Sequence, residues 1–334
     1  MDSKNLFISI VIPARNAQAT LELCLKAILS SKNHNFEVVV VDDASDDATS
    51  GIAEKFHCVL VKLDRNLGSA VARNKGVEVS RGDIILFIDS DIIIKENTIP
   101  LILDDFSSDN ELAAVVGMLD EEIPHKNLSS QFFSLRKHYD YLLIDGNLSV
   151  LNTAIVAIRK DVFTEIGGFN ERYNSTIEDA ELGRRLYKLG YKIKLNKKIR
   201  VVHLKFHTLM SLLISDFTRA GHFAKLLVRE RLLGNISKEK RFGSFRGGSL
   251  ITVSIVPIII LTFISSFFLR WTTPIFYTCF LIFILSNLEF LRFTGKVVGV
   301  SKNFFMPLVI FVDSLVVFTG ILFGLASFIR GNKF

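Results

Sequence analysis

From Ser249 to Leu269 the chain reads SLITVSIVPIIILTFISSFFL, without one charged residue. No other feature restricts the fold as much, because roughly 20 consecutive apolar residues suffice to cross the hydrocarbon core of a bilayer. Two more apolar stretches follow, 271–291 and 304–329, the second interrupted only by Asp313. Three such spans in succession predict an all-α transmembrane region over 247–334 rather than three buried core helices. Positive charge gives the orientation. KEKRFGSFR, from Lys238 to Arg246, precedes the first span, and Arg292, Lys296 and Lys302 lie between the second and third, whereas the first hairpin carries only Arg270. The positive-inside rule then leaves everything before the first span in the cytoplasm, attached to the cell's inner membrane. MDSKNLF leads straight into a strand-like run, so no signal peptide is expected.

Between the soluble part and the first span, Leu209 to Leu233 mixes apolar residues with Arg219, Lys225, Arg229 and Arg231. Amphipathic interfacial helices are therefore expected over 206–246, with a basic face toward lipid phosphates. The formal charge of +6 fits membrane lipids as partners. No nucleic acid is expected, since no basic stretch is interleaved with stacking aromatics. Cys24, Cys58 and Cys279 are too scattered for a disulfide framework or a metal knuckle.

Residues 1–205 have a different rhythm. ISIVIP (Ile8 to Pro13) and FEVVVVDD (Phe36 to Asp43) read as buried strands with a helix from about Ala17 to Ser31 between them, and CVLVKLD, GSAVARNKGVEVS and DIILFID continue the alternation. This predicts an α/β domain with a parallel sheet, in which ligands bind outside the carboxyl ends of the strands. Both acidic clusters, Asp42-Asp43 and Asp89-Asp91, fall at those ends. Asp89 and Asp91 are two residues apart on extended chain and so point to one side. Two like charges on one side call for a cation between them, and a hard divalent ion such as Mg²⁺ takes one or two carboxylates plus substrate phosphates. Neither a P-loop nor a G-x-G-x-x-G fingerprint follows the first strand.

Seven elements occur in order: IPARN (Ile12 to Asn16), VVDDASDD (Val40 to Asp47), RNLGSAVARN (Arg65 to Asn74), Gly82-Asp83, DSD (Asp89 to Asp91), GGF (Gly167 to Phe169) and EDAELGRRL (Glu178 to Leu186). With them the first 205 residues or so resemble the inverting nucleotide-sugar glycosyltransferases of family 2, which have the GT-A nucleotide-binding fold. The resemblance implies a role for each element. Asp42 and Asp43 would read the base of a UDP-type nucleotide-sugar donor, with Pro13 and Arg15 bordering the same pocket. Arg73 would reach the diphosphate, where a guanidinium forks well onto phosphate oxygens. Asp89 and Asp91, with His203 nearby, would hold Mg²⁺ or Mn²⁺. Gly168 and Phe169 would shape the acceptor side, and Asp179, next to Glu178, would be the general base.

The resemblance has a gap after the soluble domain. Processive polysaccharide synthases of this superfamily carry Q-x-x-R-W there, whereas this chain reads Asp216-Phe217-Thr218-Arg219-Ala220. Arg219 remains as an acceptor-side candidate, but the glutamine and tryptophan are missing, so one sugar per encounter is expected rather than polymerisation. The whole reading is a membrane-anchored, metal-dependent, inverting hexosyltransferase. It would move a sugar to a hydroxyl of a lipid-linked or membrane-proximal acceptor, as in cell-envelope glycans. A polyprenyl-phosphate glycosyl synthase is the alternative within the class, and a non-catalytic membrane scaffold the alternative outside it.

Overall fold

The computed structural model describes residues 6–144, 148–149, 151–173, 177–232 and 247–332. The basic cluster Lys238 to Arg246 lies outside the described residues. In chain order the elements are β1 (Ile8–Ala14), α1 (Leu21–Leu29), β2 (Phe36–Asp42), α2 (Thr49–Ala53), β3 (Val59–Lys62), α3 (Ser69–Val79), β4 (Ile84–Ile88) and β5 (Ile92–Ile93). They continue with α4 (Thr98–Ser108), β6 (Leu112–Leu119), α5 (Leu128–Leu142), β7 (Ile155–Arg159), α6 (Lys160–Glu165), α7 (Glu178–Lys188) and β8 (Lys192–His203). The rest is helical: α8 (Leu209–Leu232), α9 (Gly247–Ser266), α10 (Thr273–Val298), α11 (Val300–Asn303) and α12 (Met306–Ile329).

Two compact units result, one from Met1–Pro124 with Ile144–Lys205, the other from His125–Leu143 with Phe206–Phe334. The excursion that carries α5 into the second unit is not marked by any change of composition. The first unit is built on an eight-stranded sheet of order β3-β2-β1-β4-β7-β6-β8-β5. The pairs β1–β2, β2–β3, β1–β4 and β6–β8 are parallel, as the strand–helix alternation predicts. β7 runs antiparallel to both β4 and β6, and β5 antiparallel to β8, so the sheet is mixed but mostly parallel. An apolar run carries no sign of its own direction, which is why IVAIR does not announce the reversal.

The central strands explain the apolar runs. Ile8, Ile10, Val11 and Ile12 of β1 and every residue of β4 are buried, each such side chain contributing about 1.5–3 kcal/mol of burial. Helical spacing in the sequence puts Leu182, Leu186 and Leu189 on one face of α7; Leu182 and Leu186 are buried, but Leu189 is 62% exposed. The helix has ended by then: Leu189 is its C-cap and the chain turns at Gly190.

In the second unit, Arg270–Val298 and Val300–Ile329 are each long and apolar enough to cross a membrane, and Leu250–Ser266 is a shorter apolar helix. α9 and α10 are joined by a buried hydrogen bond from Asn287 Nδ2 to Thr252 Oγ1 at 2.9 Å. Arg136 on α5 binds Asp216 on α8 at 2.7 Å and Asp313 on α12 at 2.6 Å, so the one charge in the last apolar stretch is paired. Burial raises the Asp216 carboxyl, but Arg136 outweighs it and holds it below the ordinary value.

Candidate active site

Asp89 follows β4 directly, and Asp91 precedes β5 by one residue. β5 pairs with the end of β8 in the register Ile92↔His203, and Leu204 N–H donates to the Asp91 carbonyl at 2.8 Å. This pairing brings His203 Nε2 to 3.5 Å from Asp91 Oδ1. Asp89 Oδ1 accepts a hydrogen bond from Arg73 Nη2 at 2.7 Å. Burial pushes the Asp89 carboxyl above its ordinary value; Arg73 opposes that shift and Asp91 adds to it. Two carboxylates and an imidazole are donors that suit Mg²⁺ or Mn²⁺. Among the described residues no three such side chains close around an ion by themselves.

At the end of β2 both carboxylates are 4% exposed. Asp43 accepts the N–H groups of Leu67 at 2.7 Å and Gly68 at 2.8 Å, just before α3, and Asp42 accepts the Ser45 N–H at 2.9 Å and the Ser50 hydroxyl. These aspartates organise the loops where the base was expected to be read, and each carboxylate oxygen keeps a second lone pair. Pro13 pairs in register with Val41, and Arg15 is exposed one residue beyond β1. Asn16 ties the two loops together: its N–H donates to Ser45 Oγ at 3.0 Å and its Oδ1 accepts the Asp46 N–H at 2.9 Å.

Two of the candidate residues are buried. Arg73, expected on the diphosphate, is 3% exposed and bridges Asp89 to Glu178, with Nη1 donating to Glu178 Oε1 at 2.8 Å. Phe169, expected to line an acceptor pocket, is 2% exposed and packs edge-on against Phe87 and Phe163 at 5.1 and 5.4 Å. A bulky ring in a sheet-covering layer is worth more buried than lining a wet cleft. Its other face lies 5.5 Å from the Arg73 guanidinium carbon.

Gly168 has φ +66, and a Cβ there would lie 2.8 Å from Asn74 Oδ1, so the GGF turn needs glycine for conformation and for space. Arg185 holds the same turn from α7, donating to the carbonyls of Ile166 at 2.6 Å and Gly168 at 2.8 Å. At the start of α7, Glu178 is buried and also accepts the Ser69 hydroxyl at 2.6 Å, while Asp179 is half-buried and its Oδ1 accepts the Ala180 N–H at 2.7 Å. Of the acid pair, Glu178 is thus fixed inside and Asp179 is half-buried. Ser69, Asn74 and Arg185 were not singled out in the sequence, although all three sit inside matched motifs. Arg219 lies on α8, in the second unit.

Residues 9–167 match the model of glycosyl transferase family 2. A probable glycosyltransferase, YdaM of Bacillus subtilis, is 26% identical over 203 residues, which cover 56% of this chain and 48% of the relative. The glycosyltransferase AglE of Haloferax volcanii is 26% identical over 200 residues, covering 58% of this chain and 65% of the relative. The chain thus spans less than two thirds of the length of either. In fold, it is similar to the mannosyltransferase PcManGT of Pyrobaculum calidifontis, solved in complex with GDP-Man and Mn²⁺. The TM-score is 0.60 at 14% identity, over 99% of this chain and 89% of the other.

Proposed function

From the match of residues 9–167 to the model of glycosyl transferase family 2, we propose that this chain belongs to that family and transfers a sugar from a nucleotide-sugar donor, with inversion, to a hydroxyl of a lipid-linked or membrane-proximal acceptor. Its active site would lie at the carboxyl edge of the sheet, and its helices would hold it at the cytoplasmic face of the cell membrane. The observation that carries this reading is the gathering of Asp89, Asp91, His203 and Glu178 at that edge, with the half-buried Asp179 next in the chain to Glu178. Asp89, Asp91 and His203 would hold Mg²⁺ or Mn²⁺, which when bound supplies Lewis-acid stabilisation of charge on the leaving nucleotide. Mn²⁺ in the similar mannosyltransferase supports a divalent ion without deciding which.

Asp179 takes the proton of the acceptor hydroxyl as that oxygen attacks the anomeric carbon. Asp42 and Asp43 fix the loops that border the nucleoside, and Pro13 and Arg15 flank it. The acceptor approaches past the GGF turn. Two apolar helices favour an acceptor that resides in or near lipid.

The test uses membranes containing the full chain, a panel of UDP- and GDP-sugars, and mass analysis of the lipid extract. A divalent-dependent increase of one hexose-type residue on a lipid, with release of nucleoside diphosphate, is the expected result. Absence of donor turnover across the panel, with the protein folded and membrane-bound, would count for the scaffold reading.

A further inference from the structure

We infer that Arg73 is a positioning residue that fixes the distance between the donor side and the acceptor-activating side of the site, rather than a ligand of the diphosphate. This deepens the glycosyltransferase reading and rests on it. The guanidinium sits between two carboxylates from opposite halves of the proposed reaction. Nη2 holds Asp89 Oδ1 at 2.7 Å, at the end of β4, and Nη1 holds Glu178 Oε1 at 2.8 Å, in the first turn of α7. Asp89 is on the side of the divalent ion and donor, and Glu178 is the chain neighbour of Asp179.

Arg73 reaches this place from α3, whose next residue, Asn74, bonds both backbone polar groups of Phe169. The Phe169 ring in turn lies against the guanidinium. Three segments, the DSD turn, the GGF turn and the start of α7, therefore meet on two consecutive residues of one helix. At 3% exposure Arg73 offers a phosphate no approach.

The residue type follows from the geometry. A planar fork can satisfy two carboxylates at once in a fixed relative orientation, which a lysine ammonium on a flexible stem cannot impose. Charge requires it as well. Without Arg73, Asp89, Asp91 and Glu178 would stand as three carboxylates around one edge of the sheet, and mutual repulsion would move α7 outward. Displacing a catalytic group by about 1 Å costs on the order of 100-fold in rate. Arg73 makes no contact with the acceptor in this role; it acts through Asp89 and Glu178.

The experiment compares Arg73→Met and Arg73→Lys with the parent chain in detergent, by two readouts. Mn²⁺ binding by electron paramagnetic resonance and calorimetric titration with UDP, GDP and the corresponding monophosphates measure the donor side. Turnover with the active donor measures transfer. Arg73→Met is expected to hold Mn²⁺ and nucleoside diphosphate within about threefold of the parent while kcat falls on the order of 100-fold, and Arg73→Lys to restore part of kcat. A loss of diphosphate affinity of tenfold or more, with monophosphate affinity unchanged, would mark Arg73 as a phosphate ligand and overturn the inference. A parental kcat in Arg73→Met would also count against it, since then the link between the two carboxylates does nothing. If Arg73→Met does not fold, Arg73→Lys decides by the same affinity-against-turnover split. Failure of the parent chain itself to bind either diphosphate would instead sink the glycosyltransferase reading, an outcome separate from these.

Discussion

Asn74 holds the backbone of Phe169 from both directions. Its Nδ2 donates to the Phe169 carbonyl at 2.9 Å, and its Oδ1 accepts the Phe169 N–H at 3.0 Å. An amide side chain is the natural fit, because it carries a donor and an acceptor on one small plane. The same Nδ2 also reaches Glu171 Oε1 at 3.0 Å. Asn74→Ala should leave both backbone groups of Phe169 without their partners and destabilise the first unit by about 1–3 kcal/mol. Asn74→Asp should be no better, since a carboxylate cannot donate and would face Glu171. Thermal unfolding of both variants checks this; a melting temperature equal to that of the parent would remove the clamp from the account.

What the sequence disclosed follows from what a motif can encode. β1, β2 and β4 were readable to within a residue or two because buried parallel strands are continuous apolar runs. The acidic pairs were readable because charge at the end of such a run has few explanations. Direction was not: β7 is as apolar as the strands on either side of it, and its reversal between β4 and β6 arises from the path of the chain. Side-chain destination was not readable either. ARN gives an arginine and an asparagine, but whether Arg73 turns to phosphate or to Glu178 depends on where α7 docks, more than a hundred positions later. The same holds for Phe169, since only the packed Phe87 and Phe163 show that its ring has an apolar place to go.

Asp91 bears on the metal. With His203 at 3.5 Å and Asp89 already held by Arg73, Asp91 is the carboxylate best placed to meet an incoming ion. Asp91→Ala should weaken Mn²⁺ binding by at least about tenfold, the lower end of what even an outer-shell partner costs. Electron paramagnetic resonance of bound Mn²⁺ in the presence of nucleoside diphosphate measures it. Unchanged affinity, or full turnover of the parent in excess EDTA, would refute the metal assignment.

Asp179 separates two classes of acceptor. An alcohol keeps its proton at neutral pH and profits from a positioned base by roughly 10²–10⁴-fold in rate. A polyprenyl phosphate is already ionised and has little use for a carboxylate beside its attacking oxygen. Asp179→Asn should therefore bind the donor normally and lose transfer by at least about 100-fold. Near-parental transfer by this variant to a polyprenyl phosphate would promote the synthase alternative in place of a hydroxyl acceptor.

Glu37 supplies a pH dependence outside the site. Burial pushes its carboxyl up, but the Ser9 hydroxyl, the Arg81 N–H and the Arg81 guanidinium together hold it below its ordinary 4.5. A folded-state value below the unfolded one means stability that is fully present above about 4.5 and is lost as the pH falls through the folded value. Glu37→Gln should thus destabilise by about 1.5–3 kcal/mol near neutrality, the range for hydrogen bonds to a charged group. The difference from the parent should shrink under acid conditions below 4.5. Denaturant titrations at neutral and acid pH test the sign; a gap that widens on acidification would contradict it.

The second unit gives the last test, in the contact of α8 with α12. A Cβ on Gly324 would lie 2.3 Å from the Gly221 carbonyl oxygen, and one on Gly320 would lie 2.5 Å from that of Phe217. Gly320 and Gly324 are four apart and so occupy one face of α12, where the absence of side chains lets two backbones touch. Phe217 and Phe323 close the contact with ring centroids 5.6 Å apart. Arg136, binding both Asp216 and Asp313, fixes the same pair of helices. The basic residues of α8 read as those of a helix lying on the interface, and this seam seats it along α12. Gly324→Leu must push the two helices apart against a fixed ion network. It should cost about 1–3 kcal/mol or more, as overpacking does. Leu322→Ala, at a half-exposed position on the same helix, should cost well under that. Unfolding of the full chain in detergent compares them. If Gly324→Leu were as stable as Leu322→Ala, α8 would not be held on α12 through this seam, and its place would have to come from the lipid surface instead.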